Sequence, residues 1–294
     1  MLKNKYLAAV SGGPDSMALL SQFKDDIVGV CHVNYHYRST SDYDQSIVEK
    51  YCKKYRIKLY VLNINSRVYT TGAVKNFENW ARIQRYNFFL KISNETGIKQ
   101  MLIGHNADDF VEYYYMQKSK HSKPLFYGIK KENYYHDLKI VRPLIKIRKK
   151  ELENYCKTNK IEYAIDITND DPKYLRNKIR KSTSVLSDKE FFKLYHDIDE
   201  INKKNFMLSQ DVSKAYQTWT DRNYDLKYFK SLLDELKVEV VYQLLINYSP
   251  KRISMHKINE IVKFFNANKG NTYYRLNDNL KIYKKENKII FNSK

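Results

Sequence analysis

Apolar and polar positions alternate in blocks along the first half of the chain. Four short apolar runs, each typical of a buried strand, occupy residues 6–10, 27–33, 58–64 and 100–104. Long stretches with helical periodicity separate them. Strands that alternate with helices form parallel sheets, because each crossover helix packs on one face of the sheet. The pattern therefore predicts an α/β fold with an open parallel sheet and helices on both faces.

The regular alternation of strands and helices does not continue into the second half of the chain. A strand is predicted over 139–144 and a helix over 149–160, followed by a short strand, a turn around Pro172 and a helix start before residue 180. From about residue 187 the chain is mainly helical and highly charged, and it ends in three short alternating segments at 271–277, 280–285 and 288–292. We therefore expect two domains, 1–184 and a smaller helical α+β domain over 185–294.

The chain is strongly basic. Its 53 Lys and Arg against 33 Asp and Glu give a net charge of +20. Such an excess favours polyanionic partners through counterion release, and nucleic acid is the first candidate. The alternative is compositional, because Lys greatly outnumbers Arg and the 27 Tyr accompany abundant Asn and Ile, as in proteins encoded by A/T-rich codons.

Cysteine usage and hydropathy limit the class of protein. Cys31, Cys52 and Cys156 form no Cys-x-x-Cys pair, so neither a disulfide framework nor a zinc ribbon is indicated. The apolar segment near the N-terminus is interrupted at once by SGGPDS, and no run approaches the roughly 20 apolar residues of a membrane span. We expect a soluble, cytoplasmic protein.

The segment SGGPDS at residues 11–16 lies between the first predicted strand and a helix. Backbone N–H groups of such a glycine-rich turn form an anion cradle at the carboxyl end of a parallel sheet. A Walker A loop is excluded because no lysine closes the segment, and the chain contains no Gly-x-Gly-x-x-Gly. Asp15 fits beside a phosphate only when a divalent cation bridges the two. The alternative is an ordinary turn in which Ser11 or Asp15 caps the helix.

SGGPDS resembles the Ser-Gly-Gly-x-Asp-Ser signature of the PP-loop ATP pyrophosphatases. The resemblance implies a PP-loop fold of the adenine nucleotide alpha hydrolase type, and glycines that let the backbone wrap a pyrophosphate. Enzymes of this superfamily split ATP into AMP and pyrophosphate. They adenylate a carbonyl oxygen, and a nucleophile then displaces AMP.

Five further segments resemble, in order, motifs of the tRNA(Ile)-lysidine synthase family. They are HVNYHYR (32–38), ENWARIQRY (78–86), GHNADDFVE (104–112), RPLIKIRKKEL (142–152) and DITNDDPKYLRNKIR (166–180). Three positions depart from the family pattern: Tyr35 replaces a usual His, Asn106 a second His, and Phe110 a Gln.

The side chains of these segments have chemistry of their own. Asp108, Asp109 and Glu112 fall in the first turns of a helix, where they can hold Mg²⁺ or an ammonium group, or simply cap and solvate that helix. Arg82 and Arg85, three apart on a helix, can meet phosphate or developing negative charge. A second group of polar side chains comprises Arg176, Asn177 and Arg180. Its arginines can contact phosphates and its amide can read a base edge. The alternative is that these residues form only a solvated helix face.

The family resemblance assigns roles to these residues. The catalytic residues it implies are Asp15, Arg82, His105, Asp109 and Glu112. For ATP it implies Ser11, Gly12, Gly13, Pro14, Asp15, Ser16 and His32. Asp109 and Glu112 would bind the substrate lysine, and Asp15 and Asp108 a metal ion. The residues for tRNA would be Arg85, Arg176, Asn177 and Arg180.

The reaction that the resemblance implies is a ligation that uses ATP and Mg²⁺. ATP adenylates C2 of the wobble cytidine of a tRNA(Ile) with a CAU anticodon, and the side-chain amine of L-lysine displaces AMP to give lysidine. The first domain would be the ATP-binding catalytic domain and the basic second domain would bind tRNA. Longer family members carry a second C-terminal domain, and we expect only the first of the two here. A homodimer is also expected.

Three alternatives remain at this stage. PP-loop tRNA thiolases need cysteines for sulfur transfer or an iron–sulfur cluster, and the scattered cysteines disfavour them. PP-loop amidotransferases and synthetases that act on small molecules do not need so basic a second domain. A non-catalytic RNA-binding protein on the same fold would not need an intact SGGPDS or the paired aspartates.

Overall fold

The chain forms two compact units, residues 1–199 and 200–294. The computed structural model describes residues 5–37, 39–65, 77–119, 124, 126–165, 175–248, 254–268, 273–276 and 280–293. The division between the units falls within a helix, α7 (Asp188–Asp221). The domain boundary between 184 and 185 stays a prediction.

A six-stranded sheet forms the centre of the first unit. Its strands are β1 (Tyr6–Ala9), β2 (Ile27–Asn34), β3 (Lys58–Asn63), β4 (Gln100–Ile103), β5 (Glu132–Tyr135) and β6 (Leu138–Val141). Their order is β3-β2-β1-β4-β6-β5, and every pair is parallel except the β5–β6 hairpin at the edge. The predicted α/β fold is therefore confirmed, with one antiparallel edge strand that the sequence pattern did not predict.

Six helices lie wholly within the first unit as described. They are α1 (Pro14–Gln22), α2 (Ser41–Tyr55), α3 (Phe77–Thr96), α4 (Ala107–Ser119), α5 (Lys149–Thr158) and α6 (Leu175–Ser184). The segment 161–165, predicted as a short strand, has no regular structure. The predicted turn around Pro172 lies outside the described residues.

Neighbouring residues of the central strands pack into two different cores. Ala8 and Val30 join a cluster with side chains of α1, α2 and α5, whereas Leu7 and Cys31 join a second cluster with side chains of α3. Both faces of the sheet are thus covered, because successive side chains of a strand point to opposite faces. This double burial explains why the strands read as continuous apolar runs.

The second unit has its own core. It contains the last part of α7 together with α8 (Leu226–Ser231), α9 (Asp234–Tyr248), α10 (Met255–Asn266) and the antiparallel strands β7 (Tyr273–Arg275), β8 (Leu280–Lys285) and β9 (Lys288–Ser293). Trp219 is fully buried against Phe229 and Phe265. The three predicted terminal strands are confirmed, and Glu286 and Asn287 both take positive φ in the β8–β9 turn. None of the described helices is long and apolar enough to cross a membrane.

Candidate active site

The SGGPDS loop connects β1 to α1 at the carboxyl edge of the sheet. Gly12 has a φ of +95°, and a Cβ there would lie 2.8 Å from the backbone oxygen of Asp44. Position 12 therefore requires glycine. Gly13 is the N-cap of α1, and the structure gives this helix no side-chain cap. The alternative in which Ser11 or Asp15 caps the helix is thus wrong, and the uncapped N–H groups suit an anion.

Asp15, in the first turn of α1, is an unusual carboxylate. Its Oδ1 atom is buried and has no hydrogen-bond partner among the described residues. Burial raises the pKa of Asp15 to about 7, and the charge of Asp109 adds to the rise, while Lys149 and a hydrogen bond from Asn106 oppose it. An unsatisfied buried carboxylate beside an anion cradle suits a bound cation.

The start of α4 carries a reciprocal capping arrangement. The backbone N–H of Asp109 donates to Asn106 Oδ1 over 2.9 Å, and the N–H of Asn106 donates to Asp109 Oδ2 over 3.1 Å. Because the Asn106 side chain also lowers the pKa of Asp15, one amide interacts with both the PP-loop helix and the start of α4. This arrangement holds Asp15 and Asp109 near each other.

A cavity of about 240 Å³ opens where the loops after β1 and β4 meet. These strands are neighbours in the sheet although the chain visits β2 and β3 between them, so the cavity lies at the topological switch point where open α/β sheets bind ligands. Its polar wall comprises Ser11, Gly13, Asp15, Ser16, Arg85, His105 and Asp109. Its apolar wall includes Cys31, Val33, Tyr35, Tyr86 and Phe89. The polar wall suits a phosphorylated group, and the apolar wall suits a nucleobase.

Glu112 lies at the centre of an ion-pair cluster next to this cavity. Its side chain is only 2% exposed and accepts hydrogen bonds from Arg176 Nε (3.0 Å) and Arg180 Nε (2.7 Å). Arg176 also donates to Asp109 Oδ1 over 3.1 Å, which joins the cluster to the cavity wall. Residues predicted to bind lysine and residues predicted to bind tRNA are therefore partners of each other. Asn177 lies between the two arginines in sequence on α6 and is half-buried.

Comparisons with known proteins agree with this architecture. The family model of the PP-loop domain (ATP_bind_3) matches residues 1–186. The chain is 40% identical to a tRNA(Ile)-lysidine synthase of Malacoplasma penetrans over 99% of both chains. It is 38% identical to one of Ureaplasma parvum over 97% of this chain and 86% of that protein. The chain belongs to the tRNA(Ile)-lysidine synthase family. A U34-tRNA thiolase of Methanococcus maripaludis shares the fold, with a TM-score of 0.56 and 18% identity over 68% of this chain and 73% of the thiolase.

Each departure from the lysidine synthase pattern has a structural counterpart. Asn106 caps α4, as described above. Tyr35 lines the cavity and donates from its hydroxyl to the Ala81 oxygen over 2.8 Å, which links the end of β2 to α3. Phe110 is buried and packs against the tilted ring of Tyr195, with ring centroids 4.4 Å apart. It also packs so closely on Gly128 that a Cβ there would lie 2.5 Å from its ring.

Asp108 is placed away from the cavity wall. Its carboxylate accepts hydrogen bonds from Arg148 Nε (3.2 and 3.3 Å) and from the backbone N–H of Lys149 (2.7 Å). Arg148 is 4% exposed and lies 3.6 Å from the centre of the Phe191 ring. Both oxygens of Asp108 therefore have structural partners at the start of α5. The predicted metal role of Asp108 has no support in this geometry.

His32 also lies away from the cavity. It is 2% exposed, and its Nδ1 donates to the Val10 oxygen over 2.9 Å. Its strand neighbours Cys31 and Val33 line the cavity, whereas His32 does not, because alternate residues of β2 point to opposite faces. Burial lowers the pKa of His32. The predicted nucleotide contact of His32 is not supported by this position.

The two arginines of α3 differ in position. Arg85 lines the cavity, whereas the guanidinium of Arg82 lies 4.9 Å from the centre of the Tyr86 ring. Both side chains are exposed. Arg85 is thus placed to contact a ligand in the cavity, in addition to its predicted role in tRNA binding. Arg82 does not line the cavity.

Arg142 is a residue of the site that the sequence analysis did not single out. It follows β6, is only 3% exposed, and donates from Nε to His105 Nδ1 over 2.9 Å. Arg142 is the first residue of the family motif RPLIKIRKKEL, which is a signal for a functional role. The sequence alone does not indicate that His105 is its partner.

The cysteines bear on the thiolase alternative. Cys31, Cys52 and Cys156 are all free and buried. Burial raises the pKa of Cys31 and Cys52 to about 12 and that of Cys156 to about 11. Sulfur transfer needs a thiolate, so these thiols are poorly suited to it.

Proposed function

We propose that this chain forms lysidine in tRNA(Ile). The cytidine O2 of a CAU wobble base attacks the α-phosphorus of ATP and releases pyrophosphate, after which the side-chain amine of L-lysine attacks C2. The C2–O2 bond then breaks, AMP leaves with that oxygen, and the amine loses its protons. The observation that carries the proposal is one cavity, at the switch point of the sheet, lined by Asp15, Arg85, His105 and Asp109, which come from three separate family motifs.

ATP is the substrate that the loop fits best. The uncapped start of α1 and Gly13 on the cavity wall leave room and N–H donors for a phosphate chain. Ser11 and Ser16, whose hydroxyl oxygens lie 3.2 Å apart, line the same wall, and the Ser16 hydroxyl donates to the Gly13 oxygen over 2.9 Å, which braces the loop. The apolar wall, with Tyr35 and Phe89, suits a nucleobase.

A divalent cation fits one of the two residues predicted to hold it. Asp15 supplies a buried oxygen without a partner next to the phosphate cradle, whereas Asp108 is committed to Arg148. Mg²⁺, when bound, would neutralise charge between the triphosphate and Asp15. We therefore propose Asp15 as the protein ligand and no longer include Asp108.

The lysine amine has two carboxylates within the proposed site. Asp109 lines the cavity, and Glu112 lies behind it with Arg176 and Arg180 as partners. An ammonium group can take the place of a guanidinium at Glu112, because both are cations that donate to carboxylate oxygens. Lysine and the arginines of α6 would therefore compete for Glu112.

The remaining roles follow from charge. Arg85, with Arg82 behind it, would stabilise the negative charge that develops during adenylation. The side chains of Arg176 and Arg180, once released from Glu112, would bind tRNA phosphates, with Asn177 beside them. We propose that the basic residues of the 185–294 domain add further phosphate contacts. We also propose that the enzyme is a cytoplasmic ligase that forms a carbon–nitrogen bond. It would act as a homodimer.

Labelled lysine provides the test of this proposal. The protein is incubated with ATP, Mg²⁺, labelled lysine and a tRNA(Ile) transcript, and the RNA is isolated. We expect label in the RNA, dependent on ATP and accompanied by equal amounts of AMP and pyrophosphate. A transcript with U in place of the wobble cytidine is the control. Absence of label from the CAU transcript would refute the proposal.

A further inference from the structure

The contact between Arg142 and His105 fixes the proton of the imidazole. An arginine Nε–H can only donate, so His105 Nδ1, which lies 2.9 Å away, must accept with its lone pair. In a neutral imidazole the proton is then on Nε2. No second hydrogen bond of His105 occurs among the described residues, and the ring lines the cavity. Nε2–H is thus available to a ligand.

Arg142 is itself rigidly held. Its Nη1 donates to the Lys130 oxygen over 2.9 Å and to Asn133 Oδ1 over 2.6 Å, both on or beside the β5–β6 hairpin. Strands β4 and β6 are parallel neighbours with Leu102 opposite Val141. His105 and Arg142 therefore leave the sheet side by side at its carboxyl edge.

The charges around His105 keep the ring neutral. Burial lowers the pKa of His105 to about 3, assisted by Arg142 beyond β6, Arg85 and Arg82 on α3, and Arg176 on α6. The carboxylates of Asp15 and Asp109 line the same cavity and act in the opposite direction. Since burial and the cations prevail, His105 is unsuited to carry a proton between reactants near neutral pH.

We propose that Arg142 is a positioning residue that holds His105 in the neutral form whose Nε2–H donates a hydrogen bond to an oxygen of the nucleotide substrate. His105 then stabilises charge on that oxygen without giving up its proton. The identity of the substrate rests on the proposed function, whereas the tautomer rests on the Arg142 contact alone.

Substitutions of His105 separate donation from proton transfer. A glutamine amide can place an N–H near the position of Nε2 but cannot exchange a proton as an acid or base. We expect His105→Gln to keep tRNA-dependent pyrophosphate release within about tenfold of wild type, and His105→Ala to lose about 100-fold. The exposed His196, changed to Gln, is the matched control and should have no effect. Equal losses in His105→Gln and His105→Ala would overturn the proposal.

Nitrogen-15 NMR of histidine-labelled, ligand-free protein tests the positioning role directly. The signals of His105 are assigned by their absence from His105→Gln. In wild type and in Arg142→Lys we expect a neutral ring that is protonated on Nε2 from pH 5 to pH 9. In Arg142→Gln we expect the ring to take up its second proton at a higher pH than in wild type. The pH profile of kcat should gain an acidic limb only in Arg142→Gln. A wild-type ring protonated on Nδ1, or a titration unchanged in Arg142→Gln, would overturn the proposal. Because the NMR measurement needs no substrate, failure of lysidine formation would not alter its result.

Discussion

Glu112 and Arg180 form an ion pair in which Arg180 Nε donates to Glu112 Oε1 over 2.7 Å. The side chain of Glu112 is 2% exposed and that of Arg180 is 27% exposed. The family resemblance implies lysine binding for Glu112 and tRNA binding for Arg180, and the structure pairs the two side chains. Charge–charge hydrogen bonds of this kind contribute about 1.5–3 kcal/mol, which is the range of a substrate contact. If Glu112 binds lysine and Arg180 binds tRNA, as we propose, the binding of the two substrates is coupled through one carboxylate.

Substitution of Glu112 by Gln tests its role towards lysine. The amide keeps the shape of the side chain and loses its charge, so the KM for lysine should rise about 10- to 100-fold while the KM for ATP changes little. Steady-state kinetics with each substrate varied in turn measures the difference. The exposed Glu95 on α3, changed to Gln, serves as a control for surface charge. Equal increases in both KM values would contradict the assignment.

Substitution of Arg180 by Gln tests the competition for Glu112. The buried carboxylate keeps Arg176 as a partner, so the fold should persist. Removal of one competing cation should lower the KM for lysine, and loss of a phosphate contact should raise the KM for tRNA about tenfold. Lys181, exposed on the same helix, gives the matched Gln variant. A higher KM for lysine in Arg180→Gln would mean that Arg180 assists lysine binding.

The fold was largely predictable because both faces of the sheet are covered. Strands such as β2, buried on both sides, leave a strong apolar signal in the sequence. Strand β5 left none, because its residues 132–135 lie at the sheet edge and alternate between exposed and half-buried. The predicted strand over 161–165 failed although Ala164 is buried, since burial alone does not supply a strand partner.

The site was predictable where chain order determines position. Residues after β1 and β4 had to meet at the switch point, and Asp15, His105 and Asp109 do. Pairings across the fold, such as Arg142 with His105, were not predictable, because a single sequence does not show which basic side chain points inward. Asp108 and His32 illustrate the same limit, since one residue along a helix or strand changes the face on which a side chain lies.

Asp15→Asn should separate catalysis from stability. The buried Oδ1 atom has no partner among the described residues, so loss of the charge should leave the Tm of the ligand-free protein unchanged or raise it. The same change should abolish tRNA-dependent pyrophosphate release and leave tRNA affinity intact, because a buried carboxylate does not attract tRNA phosphates. Thermal scans, pyrophosphate assays and filter binding measure the three quantities. Normal pyrophosphate release would contradict the role of Asp15.

The charge of the C-terminal domain can be tested without truncation. Five exposed lysines are changed together to Gln: Lys204, Lys214, Lys227, Lys263 and Lys285. Because neutralised phosphates release counterions, tRNA affinity should fall and its dependence on salt should become shallower. Binding is titrated at two salt concentrations, with Lys53→Gln in the first unit as a control. An affinity and salt slope equal to those of wild type would mean that the basic composition serves no tRNA contact.

Oxygen tracing tests the central chemical claim most directly. A tRNA(Ile) carrying oxygen-18 at O2 of the wobble cytidine is incubated with the protein, ATP, Mg²⁺ and lysine, and the products are analysed by mass spectrometry. If the wobble oxygen attacks the α-phosphorus and lysine then displaces AMP, the label must appear in AMP and be absent from pyrophosphate and from the modified nucleoside. Oxygen-18 retained in the RNA, or AMP without label, would contradict adenylation at C2.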